Sequence, residues 1–169
     1  MHGFQIRDKQ ATTRELIALT VAVRVGAPNC TVIVDDRVDV ALAAHADGVH
    51  LGADDLPVAS ARGIGPGLLI GATCRNRSEV EAARDHGADY AGIGPVFATA
   101  SKQGLPEPIG AAAVADAAGV LPLIAIGGVD LEGARAVRNA GAHGVAVISA
   151  IWQAPDPVAA AKTLVAAVS

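Results

Sequence analysis

The sequence predicts a parallel (β/α) barrel of the TIM type, with seven strands and without the first βα unit of a complete barrel, and three observations carry that expectation. Short apolar runs bounded by turn residues recur seven times along the 169 residues. Their ends lie 17 to 33 residues apart, room each time for a loop and a crossover helix. Residues of functional character follow several successive runs, whereas an open doubly wound sheet, the alternative, gathers its site at one switch point.

Phe4 to Arg7 is the first run, and Thr12 with Glu15 then forms a capping box ahead of Leu16, Ile17 and Leu19, with Gly26 as the stop. Thr31 to Val34, Gly48 to Leu51 and Leu68 to Ala72 follow. Asn76 or Ser78 can cap the next helix, which holds Val80 and Ala83 and stops at Gly87. Tyr90 to Ile93 is the fifth run; Leu123 to Ile126, preceded by a stop at Gly119, is the sixth. Asp130 starts a helix that Gly141 ends, Gly144 to Val147 is the seventh run, and Asp156 with Pro157 starts the last helix. The runs lack clean polar alternation, so the sheet needs helices over its outer face. HADGVHLG, GADYAGIG and GAHGVAVI repeat at the start of three strands, a structural repeat before a functional one. One domain over residues 1–169 is expected; a barrel short of one wall leaves edges to cover, and a homodimer is one way to cover them.

With 37 Ala and 19 Gly, the core must be built from small, closely packed side chains together with Val, Ile and Leu. An aromatic content of 2% leaves little for stacking on bases, and a net charge of −4 disfavours nucleic acid and anionic membranes as partners. Any phosphate site must therefore be focused. Cys30 and Cys74 form no metal-like pair, and no apolar stretch is long enough for a leader or a span, so a cytoplasmic protein is expected.

Two anion sites suggest themselves. In LPLIAIGGVD, Gly127 and Gly128 follow a buried strand, and Ile148 and Ser149 follow the next; glycine pairs and serines at the last two strand ends are where barrels bind phosphate, although a plain turn and a helix cap explain them singly. The long interval GPVFATASKQGLPEPIG adds Thr99, Ser101 and Lys102 on a loop able to cover a ligand. The second site starts from FQIRDKQ, where Gln5, Arg7 and Lys9 alternate and can share one strand face. Asp36 and Asp55 follow the two neighbouring strands, either to neutralise those cations or to hold magnesium with phosphate oxygens, with Asp35 and Asp54 as alternates. His50 reads as a packed residue, and Thr73 as a hydroxyl for the same anion or for a helix start.

FQIRDK, DDRVDVALAAHADGVHLGADD, GATC, GADYAGIGPVFATASK, LIAIGGV and GAHGVAVISAI, in that order, give the chain a resemblance to the thiamine phosphate synthase family, in the group that also holds thiazole tautomerases. The resemblance implies a magnesium-dependent transferase that joins an aminopyrimidine diphosphate to a thiazole phosphate, giving thiamine phosphate and pyrophosphate. It implies that Gln5, Arg7, Lys9 and Asp35 hold the diphosphate, that Asp36 and Asp55 bind Mg2+, that Thr73 lies near pyrophosphate, and that Thr99, Ser101 and Lys102 belong to a closing, substrate-binding loop from which Lys102 reaches pyrophosphate. Gly128, Ile148 and Ser149 become the thiazole phosphate cradle, and Arg7, Lys9 and Lys102 the groups that stabilise the leaving group. Three positions depart from the pattern: Asp35 stands for Asn, Ala53 for Gln and Thr73 for Ser. Arg75 stands where the tautomerases carry a catalytic His, so that activity is the runner-up, beside a barrel that binds phosphate ligands without turnover.

Overall fold

Seven short parallel strands form where the apolar runs fall, because each run is too short for a helix and is closed by a cap or a glycine. The computed structural model describes residues 3–99, 104 and 106–168. Chain contacts divide it into two units, one running to Ala72 and including His86–Asp89, the other made of Thr73–Asp85 and the residues from Tyr90 onward.

The first unit contains β1 (Gly3–Ile6), α1 (Thr13–Gly26), β2 (Thr31–Asp35), α2 (Val38–Ala43), β3 (Gly48–Leu51), α3 (Val58–Ile64) and most of β4 (Leu69–Cys74). Its strands pair in chain order and in parallel. Val32 and Val34 on β2, Val49 and Leu51 on β3 and Ile70 on β4 are buried and pack with Leu16, Val40 and Ala61 from the helices. The predicted capping box is present: Thr12 Oγ1 accepts from Glu15 N–H at 3.3 Å, and Glu15 returns a carboxylate oxygen to Thr12 N–H at 2.8 Å.

The second unit takes up the end of β4 and continues through α4 (Arg77–Asp85), β5 (Tyr90–Ile93), α5 (Gly110–Ala117), β6 (Leu123–Ile126), α6 (Leu131–Asn139), β7 (Gly144–Ala146), α7 (Ser149–Trp152) and α8 (Pro157–Val168). Here too the paired strands are parallel and consecutive. Asn76, Asp130 and Asp156 cap α4, α6 and α8 through their side-chain oxygens, as expected. Ile151, Leu164, Val129 and Ala134 form one buried cluster in it, with Phe97 packed against them.

The repeated Ala-Asp before a strand has a structural meaning. Asp47 donates its N–H to Val32 O at 2.9 Å and accepts Val32 N–H on its carboxylate at 2.7 Å; Asp89 does the same with Ile70, at 2.8 and 2.7 Å. Each aspartate thereby satisfies the backbone at the start of the preceding strand and fixes the register there. In the third repeat His143 stands in its place and keeps the backbone bond, to Leu123 O. Neither unit contains a reversal of strand order, which disposes of the doubly wound alternative. Among the described residues, no helix is long and apolar enough to cross a membrane.

Candidate functional site

Parallel register builds the first cluster. Gln5 pairs with Ile33 and Ile6 with Val34, so the next residue, Arg7, comes level with Asp35, and Asp35 in turn pairs with His50 on β3. Gln5 Nε2 donates to Asp35 Oδ1 at 2.5 Å, and Arg7 Nε lies 3.0 Å from Asp35 Oδ2. The alternation predicted for Gln5 and Arg7 is real, and both meet on one carboxylate that is largely buried.

Lys9 reaches the cluster differently. β1 ends at Ile6, and Lys9 lies in a turn held by Asp8, whose Oδ1 accepts from Gln10 and Ala11 N–H at 2.9 and 3.2 Å. From that turn its ammonium donates to the Asp36 carboxylate. The shared strand face expected of all three residues thus holds for two, and a turn delivers the third.

Asp36 follows β2 in a left-handed conformation, φ 63°, with its N–H on His50 O at 2.8 Å. Aspartate tolerates that backbone better than bulkier residues, and a non-glycine held there at a strand end marks a constrained position. Asp55 folds back on its own loop: its Oδ2 accepts from Gly52 N–H at 2.7 Å, and a Cβ on Gly52 would sit 2.7 Å from that oxygen. Burial pushes the His50 imidazole below its ordinary pKa, and the nearby charges of Asp35 and Asp55 only partly oppose this. His50, read from sequence as a packed residue, is indeed half-buried, but it also lies between site carboxylates; strand register was the signal that could have shown it.

Arg7 pairs with Asp35 and Lys9 with Asp36, one carboxylate to each cation, while Asp55, whose charge acts on His50, adds a third carboxylate to this unit. Asp36 accepts from Lys9 and Asp55 from Gly52 N–H, each through Oδ2, and a carboxylate carries a second oxygen with which it could meet a cation. Among the described residues, no group of three or more His, Cys, Asp or Glu forms a metal cage. Such a donor set suits a hard ion that keeps waters and shares phosphate oxygens, as Mg2+ does, and not a metal bound wholly by protein.

In the second unit, Thr73 is exposed near the end of β4 and Thr99 is half-buried on the loop after β5. Ser101 and Lys102 lie outside the described residues. Gly127 and Gly128 have φ of 91° and 64°, and the chain itself accounts for both. A Cβ on Gly127 would meet Pro95 Cβ at 2.6 Å, and one on Gly128 would meet Ala98 O at 2.3 Å. These glycines let the 94–98 segment lie against the end of β6, where Val96 and Phe97 N–H bond Ile126 and Gly127 O at 2.9 Å. Ile148 is exposed and Ser149 half-exposed at the start of α7, a helix of four residues in which the Ile151 and Trp152 N–H groups donate to Ile148 O at 3.1 and 3.0 Å.

The sequence pattern of the thiamine monophosphate synthase family matches residues 1–151. The chain belongs to that family. Among family relatives, the thiamine-phosphate synthase of Chlorobium phaeovibrioides is 48% identical over 166 residues, which are 95% of this chain and 79% of the relative. The solved thiamine phosphate pyrophosphorylase from Pyrococcus furiosus superposes with a TM-score of 0.89 at 39% identity, covering 97% of this chain and 81% of the other. A 3-hexulose-6-phosphate synthase superposes with a TM-score of 0.75 at 25% identity, covering 92% and 82%. The barrel-type fold read from the sequence is borne out, and so is membership of the thiamine monophosphate synthase family. Within that family frame, the first unit of this chain supplies a mixed cation and carboxylate cluster, and the second places Ser149 at the start of α7.

Proposed function

We propose that this chain is a transferase that couples an aminopyrimidinylmethyl diphosphate to a thiazole phosphate, forming thiamine phosphate and releasing pyrophosphate. Family membership supports the reaction, and the single observation that carries the residue assignment is the cluster at the ends of β1, β2 and β3, where Arg7, Lys9, Asp35 and Asp36 are paired and Asp55 lies close to His50. Arg7 and Lys9 carry the charge that a diphosphate needs, and Gln5 adds an amide to orient it. Thr73, Thr99, Ser101 and Lys102 contribute hydroxyls and a further cation, while Gly128, Ile148 and Ser149 hold the thiazole phosphate.

In the reaction the C–O bond between the pyrimidinylmethyl carbon and the diphosphate breaks, its electron pair leaving with pyrophosphate. The thiazole nitrogen then donates its lone pair to that carbon. Asp36 and Asp55 would hold Mg2+, which would supply positive charge to the diphosphate oxygens beside Arg7 and Lys9. Arg7, Lys9 and Lys102 stabilise the negative charge that grows on the departing oxygen, and the phosphate cradle orients the nucleophile. No protein nucleophile takes part. Arg75 is committed to the carbonyl of Glu107 at 2.6 Å, which gives the tautomerase reading no acid or base at that position.

Pyrophosphate release measured with both substrates and Mg2+ tests the proposal. Release that needs both substrates, and falls by about 100-fold or more in Asp36→Ala and Asp55→Ala, is the expected result. Tight binding of thiazole phosphate without pyrophosphate release would replace the enzyme with a phosphate-ligand sensor.

A further inference from the structure

The loop that carries Thr99 leaves β5 along Pro95–Ala98 and returns through Pro106–Gly110 to start α5. Its outgoing leg is tied by the Val96 and Phe97 amides to β6. The returning leg has a difficulty, since Pro106 and Pro108 carry no N–H and cannot zip onto a neighbouring backbone. Ile109 and Gly110 make up for this only at the helix start, donating to Pro95 O and Val96 O at 2.9 and 3.0 Å.

Arg75 supplies the missing donor. Its Nη2 bonds Glu107 O, between the two prolines, at 2.6 Å. The residue is itself rooted: its own N–H donates to Glu79 Oε2 at 2.8 Å, and Glu79 is gripped by Asn76, which receives the Glu79 N–H at 3.0 Å and donates to Glu79 Oε1 at 2.7 Å. The capping network of α4 therefore anchors the guanidinium that holds the loop. Among the described residues, Arg75 Nε is buried without a hydrogen-bond partner. A surface arginine placed for packing alone would turn that group to water; here it is kept dry to hold Nη2 on the carbonyl.

We infer that Arg75 is a positioning residue for the coupling reaction: by tying Glu107 O to the end of β4 it fixes the returning leg of the loop that carries Thr99. The inference rests on the function proposed above. It concerns the backbone carbonyl, so the Glu107 side chain is free to change.

Steady-state kinetics of Arg75→Ala, Arg75→Lys and Glu107→Ala, together with hydrogen exchange over residues 104–110, test it. Arg75→Ala should lower kcat on the order of tenfold, with KM for thiazole phosphate within about twofold, and should speed exchange in that stretch. Arg75→Lys, which can still donate to the carbonyl, should recover most of the rate, and Glu107→Ala should keep all of it. Wild-type kcat in Arg75→Ala, or a lysine variant no better than alanine, would overturn the inference. If the wild-type protein releases no pyrophosphate, the coupling reaction fails, while exchange still decides the tie: unchanged exchange in Arg75→Ala refutes it.

Discussion

Asp35 illustrates how the meaning of one side chain depends on what register brings to it. Taken alone, a carboxylate at this strand end adds repulsion toward a diphosphate. In place, it receives Gln5 and Arg7 together and holds both at the strand end, so the added charge is answered within the protein before any ligand arrives. Cys74 makes a second point at this scale. Burial pushes its thiol up to about 11 from an ordinary value of 9.0. An acid whose folded pKa is raised contributes stability that is fully present below the unfolded pKa and is lost as pH rises toward the folded one. Urea midpoints of wild type and Cys74→Ala should therefore converge or cross between pH 9 and about 11, the wild type losing more stability. At neutral pH, Cys74 should resist iodoacetamide until the protein is unfolded, and rapid native labelling at Cys74 would contradict its burial.

Among the elements, the stem formed by residues 94–98 against the end of β6 explains why two adjacent glycines stand there. Gly128→Ala places a methyl 2.3 Å from Ala98 O on a backbone with φ of 64°. Both strain and collision follow, and a loss of about 2–4 kcal/mol in urea unfolding is expected, with the loop stem displaced. A value near zero would mean that the stem does not hold this position. The α1 capping box offers a milder contrast: Thr12→Ala removes the acceptor for Glu15 N–H and should cost about 1 kcal/mol. Arg62 spans further, donating to Gly87 O, Pro66 O and Leu68 O and pairing with Asp89 at 2.5 Å. Three carbonyls would lose their donor in Arg62→Ala, and about 2–3 kcal/mol of stability should go with them.

For the whole molecule, ligand linkage separates the two substrates. A compound at a hundredfold excess over its Kd stabilises by about 2.7 kcal/mol, or about 5–10 °C in Tm for a chain of this size. Thiazole phosphate should raise Tm with or without magnesium. Pyrimidine diphosphate should raise it only with Mg2+, because in the proposed site Arg7 and Lys9 are already matched by Asp35 and Asp36; an equal shift in EDTA would show that the metal assignment is wrong. The strands and caps were legible from residue order alone, since hydrophobic runs, Asp and Thr caps and stopping glycines act over a few neighbours. β3, β5 and β6 fall on the predicted residues, and the Thr12, Asn76, Asp130 and Asp156 caps all form. In the first unit, strand ends also pointed to polar residues that meet, Gln5 and Arg7 with Asp35 and Lys9 with Asp36, because adjacent parallel strands bring their C-terminal residues side by side. Which atom meets which was settled only by tertiary structure. Register made Asp35 the shared partner of Gln5 and Arg7, a turn held by Asp8 carried Lys9 to Asp36, and proline-flanked Glu107 found its donor 32 residues away in Arg75. Such pairings depend on distances across the sheet and between loops, and no local pattern of side chains encodes them.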